Sequence, residues 1–398
     1  MIVPVVALVL ALGGGALAIN SGLLPSPVSG SEDVTTASGG VPEEETAPGE
    51  MPLASASEEM VKTMTLEQKV GQMMVIGFEG TAPSEAVTAA ITKRFVGGVI
   101  LYDRNIVDQA QVAGMNQALQ QLATDAGHPV KLMIGVDQEG GKTRRFEDIG
   151  PFYSQPMIGE MNDAAAPAAQ QQAASAARDL KKLGFNTNFA PVADVSSGWG
   201  SIMDGRSFSS DPEFAAELTA AAVRGYKNST TICSPKHFPG HGSAGDDSHE
   251  ALPLVESDLA TIESTDLPPF TAAIEAGAPM IMVAHLDIPA LDATGTPSSL
   301  SRPVVTELLR GSMGFKGVVI TDDLEMGAIT ETGSVGDAAV AAVLAGIDIV
   351  MVAQTDENQQ LVYDALVKAV KSGQIKEEQI DKSVVRILDM KKRYRLEQ

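Results

Sequence analysis

Three of the five histidines in the chain fall within one short segment that ends at His249. The segment reads Lys-His-Phe-Pro-Gly-His-Gly over 236–242 and continues to Asp247-Ser248-His249. Its glycines and proline favour a loop, so the side chains do not lie on one regular helix face. Asp247 and His249 stand two positions apart, and a carboxylate can orient an imidazole and raise its basicity. This pair is therefore a candidate for acid–base chemistry.

The same segment can also be interpreted as a metal site. Its candidate ligands are the imidazoles and the carboxylate of the loop, namely His237, His241, His249 and Asp247. Their spacing matches no zinc template, and the neighbouring Lys236 would repel a cation. We therefore expect neither a metal nor another cofactor. A polar loop that merely hydrogen-bonds to itself is the remaining interpretation.

Carboxylates follow apolar runs elsewhere in the chain. Asp322 and Asp323 come after Val-Val-Ile-Thr, and a carboxylate at the tip of a strand can be a nucleophile, a general base or a metal ligand. Asp137 is followed by Gln-Glu-Gly-Gly and, slightly later, by Arg145. Asp137 could accept hydrogen bonds from sugar hydroxyls, and the glycines would let a ligand approach the backbone. A further polar loop, 204–209, contains Arg206.

Eight apolar runs of strand length recur from Glu58 onward, at 70–78, 97–102, 131–138, 185–195, 230–238, 279–286, 317–323 and 347–353. Several are continuous Val, Ile and Met runs, which is typical of parallel strands buried on both faces. Amphipathic stretches between them, such as 168–183, 212–226 and 261–276, predict helices. This alternation predicts an α/β fold, a single (β/α)8 barrel. A doubly wound open sheet is the alternative, but no Gly-x-Gly-x-x-Gly turn follows the first run.

Most of these runs end in polar residues, and a barrel would gather them. The strand-end residues are Asp137, Asp194, Lys236, His237, His285, Asp322 and Asp323. In barrel enzymes the carboxyl ends of the strands carry the active site. We therefore expect these side chains to meet at one end of the barrel.

Taken in order, the four polar segments resemble glycoside hydrolase family 3, and within it the single-domain β-N-acetylhexosaminidase branch. The resemblance runs from about Met64 to near Arg395, and the 236–249 segment is its most specific part. It implies a retaining exo-acting glycosidase with a covalent glycosyl-enzyme intermediate. Asp322, after Thr321, would be the nucleophile, with Asp323 as a weaker competitor.

The resemblance also implies roles for the remaining candidates. His249, held by Asp247, would be the general acid/base in place of the second carboxylate that most retaining enzymes use. The residues that would contact the sugar are Asp137, Arg145, Arg206, Lys236 and His237, with His285 as a weaker candidate. The substrate would be a terminal β-linked N-acetylglucosamine of peptidoglycan fragments or related oligosaccharides.

Composition limits the partners. The chain carries 28 Lys+Arg against 51 Asp+Glu, a net charge of −23, which argues against nucleic acid. Its 44% hydrophobic residues can bury a large core. The single cysteine, Cys233, permits no intrachain disulfide. We expect a monomer that binds a small carbohydrate.

The N-terminal residues predict an extracytoplasmic protein. Residues 1–19 are almost wholly apolar and predict a signal or membrane anchor, although no basic residue precedes Lys62. Residues 20–57 are rich in Ser, Gly, Pro and Glu and predict a disordered acidic linker. The barrel domain would then occupy 58–398, and any contact with a membrane would be through the first segment only.

Three other functions are compatible with the residues. A phosphorylase would use the same site with phosphate as acceptor, because a histidine acid/base repels an anion less than a glutamate does. A sugar-binding protein on an inactive barrel is opposed by the presence of Asp322, Asp247 and His249. A metal-dependent hydrolase would lose its activity when treated with a chelator.

Overall fold

The fold is a nearly closed barrel of eight parallel strands surrounded by helices. It is seen in a computed structural model, which describes residues 53–196, 203, 205–244, 248, 251–331 and 333–397. The strands are β1 (Met74–Ile76), β2 (Gly98–Leu101), β3 (Met133–Val136), β4 (Thr187–Asn188), β5 (Ile232–Cys233), β6 (Met280–Val283), β7 (Val318–Asp323) and β8 (Ile349–Val352). The predicted (β/α)8 barrel is confirmed.

The strands follow the order β5-β4-β3-β2-β1-β8-β7-β6. All pairs within this sheet are parallel, with Met74 opposite Val350 and Met280 opposite Val318. The two ends of the sheet meet between β5 and β6, where a parallel bridge joins Phe238 to Val283. The Phe238 amide donates to the Met282 carbonyl at 2.8 Å, and this contact links the two ends of the sheet.

The helices surround the sheet, and several of them begin at a residue whose side chain caps the first turn. They are α1 (Leu53–Thr63), α2 (Leu66–Gln72), α3 (Glu85–Arg94), α4 (Gln109–Asp125), α5 (Gln155–Gly159), α6 (Ala165–Lys182), α7 (Pro212–Asn228), α8 (Leu259–Thr261), α9 (Pro268–Glu275), α10 (Gly327–Thr330), α11 (Val335–Ala345), α12 (Asp356–Lys371) and α13 (Glu377–Arg393). Thr65 and Gln68 form a capping box at α2. Asp108 and Asp211 cap α4 and α7 through their side chains.

Residues of the strands are buried almost without exception. β1, β2, β3, β6 and β8 are buried at every position, as expected for strands covered by side chains inside the barrel and by helices outside. Continuous Val, Ile and Met runs satisfy both faces at once. This is why the sequence shows unbroken apolar runs instead of alternation.

Some elements differ from their predicted extents. The run 70–78 begins as the end of α2, and only Met74–Ile76 joins the sheet. The runs 185–195 and 230–238 contribute only two-residue strands. Each run also contains a proline beyond its strand, Pro191 in the first and Pro235 in the second. A proline has no amide hydrogen to donate to a neighbouring strand.

The predicted helix 261–276 is interrupted. It is divided into α8, a π-helical turn (Ile262–Asp266) and α9, which starts at Pro268. The two prolines at 268–269 have no amide hydrogen for an i→i−4 bond, so they fit only the first turn of a new helix. A second π-helix, Pro303–Ser312, precedes β7.

The described chain starts at α1, whose first residue, Leu53, lies ahead of the domain boundary predicted at Glu58. Ser57 in this helix is fully buried. The predicted signal or anchor at 1–19 and most of the linker lie outside the described residues. Within the part of the chain that is described, no helix is both long and apolar enough to cross a bilayer.

Candidate active site

The carboxyl ends of four strands bring the predicted polar residues to one end of the barrel. Asp137 directly follows β3, and Asp322 is the penultimate residue of β7. Lys236 lies just beyond β5, and His285 just beyond β6. Because the strands are parallel, all of these side chains emerge at the same end, which is where barrel enzymes hold their active sites.

Asp322 is poised as an ionised carboxylate. Among the described residues its carboxylate receives one hydrogen bond, from the Asp323 amide to Oδ1 at 2.8 Å. Burial opposes ionisation, but the nearby His237 and His285 more than compensate and hold the pKa of Asp322 below its usual value. The second oxygen, Oδ2, therefore lacks a described partner and is available for chemistry.

Its neighbour Asp323 has a different environment. The Asp323 carboxylate accepts hydrogen bonds from the amides of Glu325 and Ala353, both at 3.1 Å, and from the Gln354 side chain at 2.8 Å. Burial raises the pKa of Asp323 to about 6. Its oxygens hold the connection between β7 and β8, so they are not free to attack a substrate.

Lys236 and Arg206 form a buried charge cluster with two carboxylates. The Lys236 Nζ lies 2.7 Å from Asp137 Oδ1 and 2.7 Å from Glu139 Oε1. Arg206 binds Glu139 in a bidentate manner, with Nε and Nη2 at 3.0 and 2.8 Å from the two oxygens. Burial opposes ionisation of Glu139, but the two cations lower its pKa to about 2. The contacts of this cluster fix the position of the Asp137 carboxylate.

Arg145 lies at the edge of this cluster. Its guanidinium donates to Asp103 at 2.8 Å and lies 3.7 Å from Asp137 Oδ2. It also lies over the Tyr102 ring, 5.7 Å from the centroid. Burial and, after it, the charges of Asp323, Asp137 and Asp322 raise the pKa of the Tyr102 phenol.

His237 is held by a buried carboxylate. Its Nδ1 lies 2.7 Å from Asp194 Oδ2, and the backbone amides of His237 and His241 donate to Asp194 Oδ1 at 3.1 and 2.7 Å. The His237 and His241 rings meet edge to face, with centroids 5.9 Å apart. After burial, which raises it, His237 has the largest effect on the pKa of Asp322 and lowers it.

His285 is buried and fixed at both ring nitrogens. Nδ1 lies 2.6 Å from the Ser299 hydroxyl, and Nε2 lies 3.1 Å from the Asp323 carbonyl. With these partners its ring supports the backbone that carries Asp322. This environment suits an indirect role better than a contact with sugar.

The predicted acid/base pair stays a prediction. Asp247 and His249, and Asp204 of the neighbouring loop, lie outside the described residues. Between the members of the pair, Ser248 is described: its hydroxyl lies 3.0 Å from His241 Nε2, and its carbonyl accepts from the Ala328 amide at 3.2 Å. The described residues also contain no group of three or more His, Cys, Asp or Glu arranged to hold a metal ion.

Three site residues had no role in the sequence analysis. Glu139 belongs to the Gln-Glu-Gly-Gly segment that follows Asp137, and Asp194 lies at the end of a predicted strand. Tyr102 is the last residue of the apolar run 97–102, and this place at a predicted strand end is the sequence feature that could have indicated its position near the site. Their roles depend on partners 40 to 100 positions away, such as Lys236 for Glu139, and a single sequence does not show these pairings.

A parallel (β/α)8 barrel with carboxylates, a lysine and histidines at the carboxyl ends of its strands has the architecture of barrel enzymes. Residues 65–390 match the family model described as the glycosyl hydrolase family 3 N-terminal domain. The chain belongs to glycosyl hydrolase family 3. The resemblance stated from the polar segments is confirmed.

The chain is similar to proteins named β-hexosaminidase. It is 36% identical to a β-hexosaminidase from Xylella fastidiosa over 304 residues, which cover 74% of this chain and 86% of the relative. It is 33% identical to β-hexosaminidase A from Pseudoalteromonas piscicida over 365 residues, 82% of this chain and 61% of the relative.

A solved structure has the same fold. The family 3 β-N-acetylglucosaminidase from Paenibacillus sp. str. FPU-7 superposes with a TM-score of 0.81 and 40% identity, over 84% of this chain and 63% of that chain. The match therefore spans less than two thirds of the Pseudoalteromonas and Paenibacillus proteins.

Proposed function

We propose that this protein is a retaining exo-β-N-acetylhexosaminidase that releases terminal β-linked N-acetylglucosamine. The observation that carries the proposal is the Asp322 carboxylate at the end of β7. It is ionised, it receives a single described hydrogen bond, and it adjoins a buried group of charged residues suited to bind hydroxyls. The names of the β-hexosaminidase relatives support the choice of sugar.

In the proposed reaction, an Asp322 oxygen attacks the anomeric carbon of the sugar. The bond between that carbon and the leaving oxygen breaks, and His249 donates the proton that the leaving oxygen needs. The product of this step is a glycosyl-aspartate ester. Water then attacks the anomeric carbon of this ester and gives a proton to His249, while the bond to the aspartate oxygen breaks and the Asp322 carboxylate is restored. The role of His249, oriented by Asp247, rests on the family resemblance of the 236–249 segment.

The charge cluster would hold the sugar. Asp137 can accept hydrogen bonds from hydroxyls, while Lys236 and Arg145 can donate them, and Lys236 holds the Asp137 carboxylate in place at 2.7 Å. His237 presents Nε2, which has no hydrogen-bond partner among the described residues. These groups supply the donors and acceptors that a pyranose with an acetamido group requires.

We further propose that the substrate is a peptidoglycan fragment or a related oligosaccharide, met outside the cytoplasmic membrane. The support is the apolar composition of residues 1–19 and the acidic linker that follows. Fractionation of cells that express the full chain tests the location. Recovery of the protein only in the cytoplasm would contradict it.

The test of the activity is release of p-nitrophenol from the β-N-acetylglucosaminide and, as a control, from the β-glucoside. We expect cleavage of the acetamido sugar alone, unchanged by EDTA and by phosphate. Acceleration by phosphate, with a sugar phosphate as product, would replace hydrolysis by phosphorolysis. No cleavage of either sugar by folded protein would refute the hydrolase proposal.

A further inference from the structure

We infer that Asp194 is a positioning residue for this active site: it orients the His237 ring and holds the start of the loop that leads to Asp247 and His249. The inference rests on the proposed function, because it assigns a role within the same site. Asp194 is fully buried at the end of the segment that follows β4.

Every described hydrogen bond to the Asp194 carboxylate comes from one loop, 236–242. Oδ2 lies 2.7 Å from His237 Nδ1, while the His237 and His241 amides donate to Oδ1 at 3.1 and 2.7 Å. Burial opposes ionisation of this carboxylate, but His237 and His241 more than compensate and lower the pKa of Asp194. A buried anion with three charge-assisted bonds fixes the loop more firmly than neutral acceptors would.

The first consequence concerns His237. Because Asp194 is an acceptor, it requires the proton on Nδ1 and leaves Nε2 as the nitrogen that meets the substrate. A ring turned over, or protonated at Nε2 alone, would lose the 2.7 Å bond. Asp194 thus determines which ring nitrogen of His237 is presented to the substrate.

The second consequence concerns the loop beyond His241. The His241 amide is held by Asp194, and its ring Nε2 lies 3.0 Å from the Ser248 hydroxyl. The Ser248 carbonyl accepts from Ala328 in α10, the helix that follows β7 and Asp322. Bonds therefore run from Asp194 to the residue that lies between Asp247 and His249 in sequence.

Loop 236–242 also packs closely against the segment that follows β4. A Cβ placed on Gly242 would lie 1.7 Å from the Val195 carbonyl oxygen, so only glycine allows the chain to pass here. Val195 is the neighbour of Asp194, so this contact and the carboxylate anchor the loop at adjacent positions. Without the Asp194 carboxylate, the loop would still pack against Val195 but would lose the hydrogen bonds that orient it.

The test compares Asp194→Asn with Asp266→Asn. The side-chain oxygen of asparagine can accept only some of the hydrogen bonds that the Asp194 carboxylate accepts. The NH2 group beside it would point at the remaining donors of loop 236–242. We expect kcat/KM on the β-N-acetylglucosaminide to fall about 100-fold, the scale that misplacement of catalytic groups produces. Asp266 is also buried and touches the same loop through the Ser243 hydroxyl at 3.0 Å, yet it contacts neither histidine. Asp266→Asn should remain within threefold of the parent.

The second readout is the tautomer of His237, because a purely structural role of Asp194 would not change it. Long-range ¹H–¹⁵N spectra of imidazole-labelled protein should show Nδ1–H for His237 in the parent and in Asp266→Asn, and a changed or mixed tautomer in Asp194→Asn. An unchanged His237 tautomer together with unchanged kcat/KM would overturn the inference. The spectra test the role of Asp194 even if the parent hydrolyses no hexosaminide. A failure of the proposed function can therefore be distinguished from a failure of the inference about Asp194.

If Asp194→Asn does not fold, Ser248→Ala tests the far end of the chain of bonds. It removes one hydroxyl and should lower kcat/KM for an unactivated disaccharide more than for an aryl glycoside. That loss should vanish in a His249→Ala background, because Ser248 would act through His249. A loss of equal size in both backgrounds would contradict the inference.

Discussion

Helix α13 buries a lysine that has no carboxylate partner among the described residues, and this makes stability a sensitive function of pH. Lys391 in α13 is fully buried, and its Nζ lies 3.0 Å from Gln72 Oε1 and 2.7 Å from the Gly97 carbonyl. Burial lowers the pKa of Lys391 to about 7 from its ordinary 10.5. We therefore predict that Lys391→Met stabilises the protein at neutral pH.

The magnitude follows from proton linkage. Between pH 10.5 and 7 the unfolded chain holds a proton on Lys391 that the folded chain excludes, so parent stability falls as pH decreases through this window. At about 1.4 kcal/mol for each pH unit, the full cost of burying the cation is about 5 kcal/mol, and it is present below pH 7.

Methionine avoids that cost but leaves Gln72 Oε1 without its donor, which costs about 1–3 kcal/mol. The Gly97 carbonyl keeps its bond from the Met133 amide at 3.0 Å. Lys391→Met should therefore gain about 2 kcal/mol near pH 7 and lose about 2 kcal/mol above pH 10.5, with the curves crossing near pH 9.

Urea unfolding followed by circular dichroism at pH 6, 7.5, 9 and 10.5 measures the difference. The midpoints should shift with unchanged slope, because the substitution alters stability and not the exposed area. Lys392→Met, at the half-exposed next position, is the matched control and should show no pH-dependent difference. A difference between parent and Lys391→Met that stays constant across this pH range would refute the reasoning.

Three further predictions concern the active site. Asp322→Asn should abolish turnover while circular dichroism and the unfolding midpoint stay within error, because it removes only the attacking oxygen; normal turnover would rule out Asp322 as the nucleophile. His249→Ala should reduce cleavage of oligosaccharides far more than cleavage of aryl glycosides, whose leaving groups need less protonation; equal losses would argue against His249 as the acid. Glu139→Gln should destabilise the barrel by about 3–5 kcal/mol at pH 7, because it leaves Arg206 without its anion, and the difference should shrink as pH falls from 4.5 towards 2; a difference unchanged by acid would contradict the role of this charge.

The architecture was predictable because it depends on local composition. Each of the eight predicted runs contains one strand of the barrel, since continuous Val, Ile and Met runs suit strands buried on both faces. Exact extents were not predictable from the same signal. The segment 185–195 has strand-like composition, but only Thr187–Asn188 finds ladder partners, and those partners come from β3 and β5.

The site was only partly predictable, for a related reason. Parallel strands bring their carboxyl ends together, so the sequence alone indicated that Asp137, Lys236 and Asp322 would lie at one end of the barrel. It did not separate Asp322 from Asp323 except by resemblance. The structure separates them through hydrogen bonds, because two amides and the Gln354 side chain occupy the oxygens of Asp323.

By itself the sequence determined the fold class, the family and the set of polar residues at the strand ends, because these are properties of short segments and of their order. Only the tertiary structure decided which charges meet. Glu139 pairs with Lys236 and Arg206, and Asp194 holds His237. Lys391, near the basic end of its helix, is buried and has no anionic partner in the described part of the chain. Ionisation and orientation depend on partners distant in sequence and on the loss of water around them, and both exist only in the folded chain.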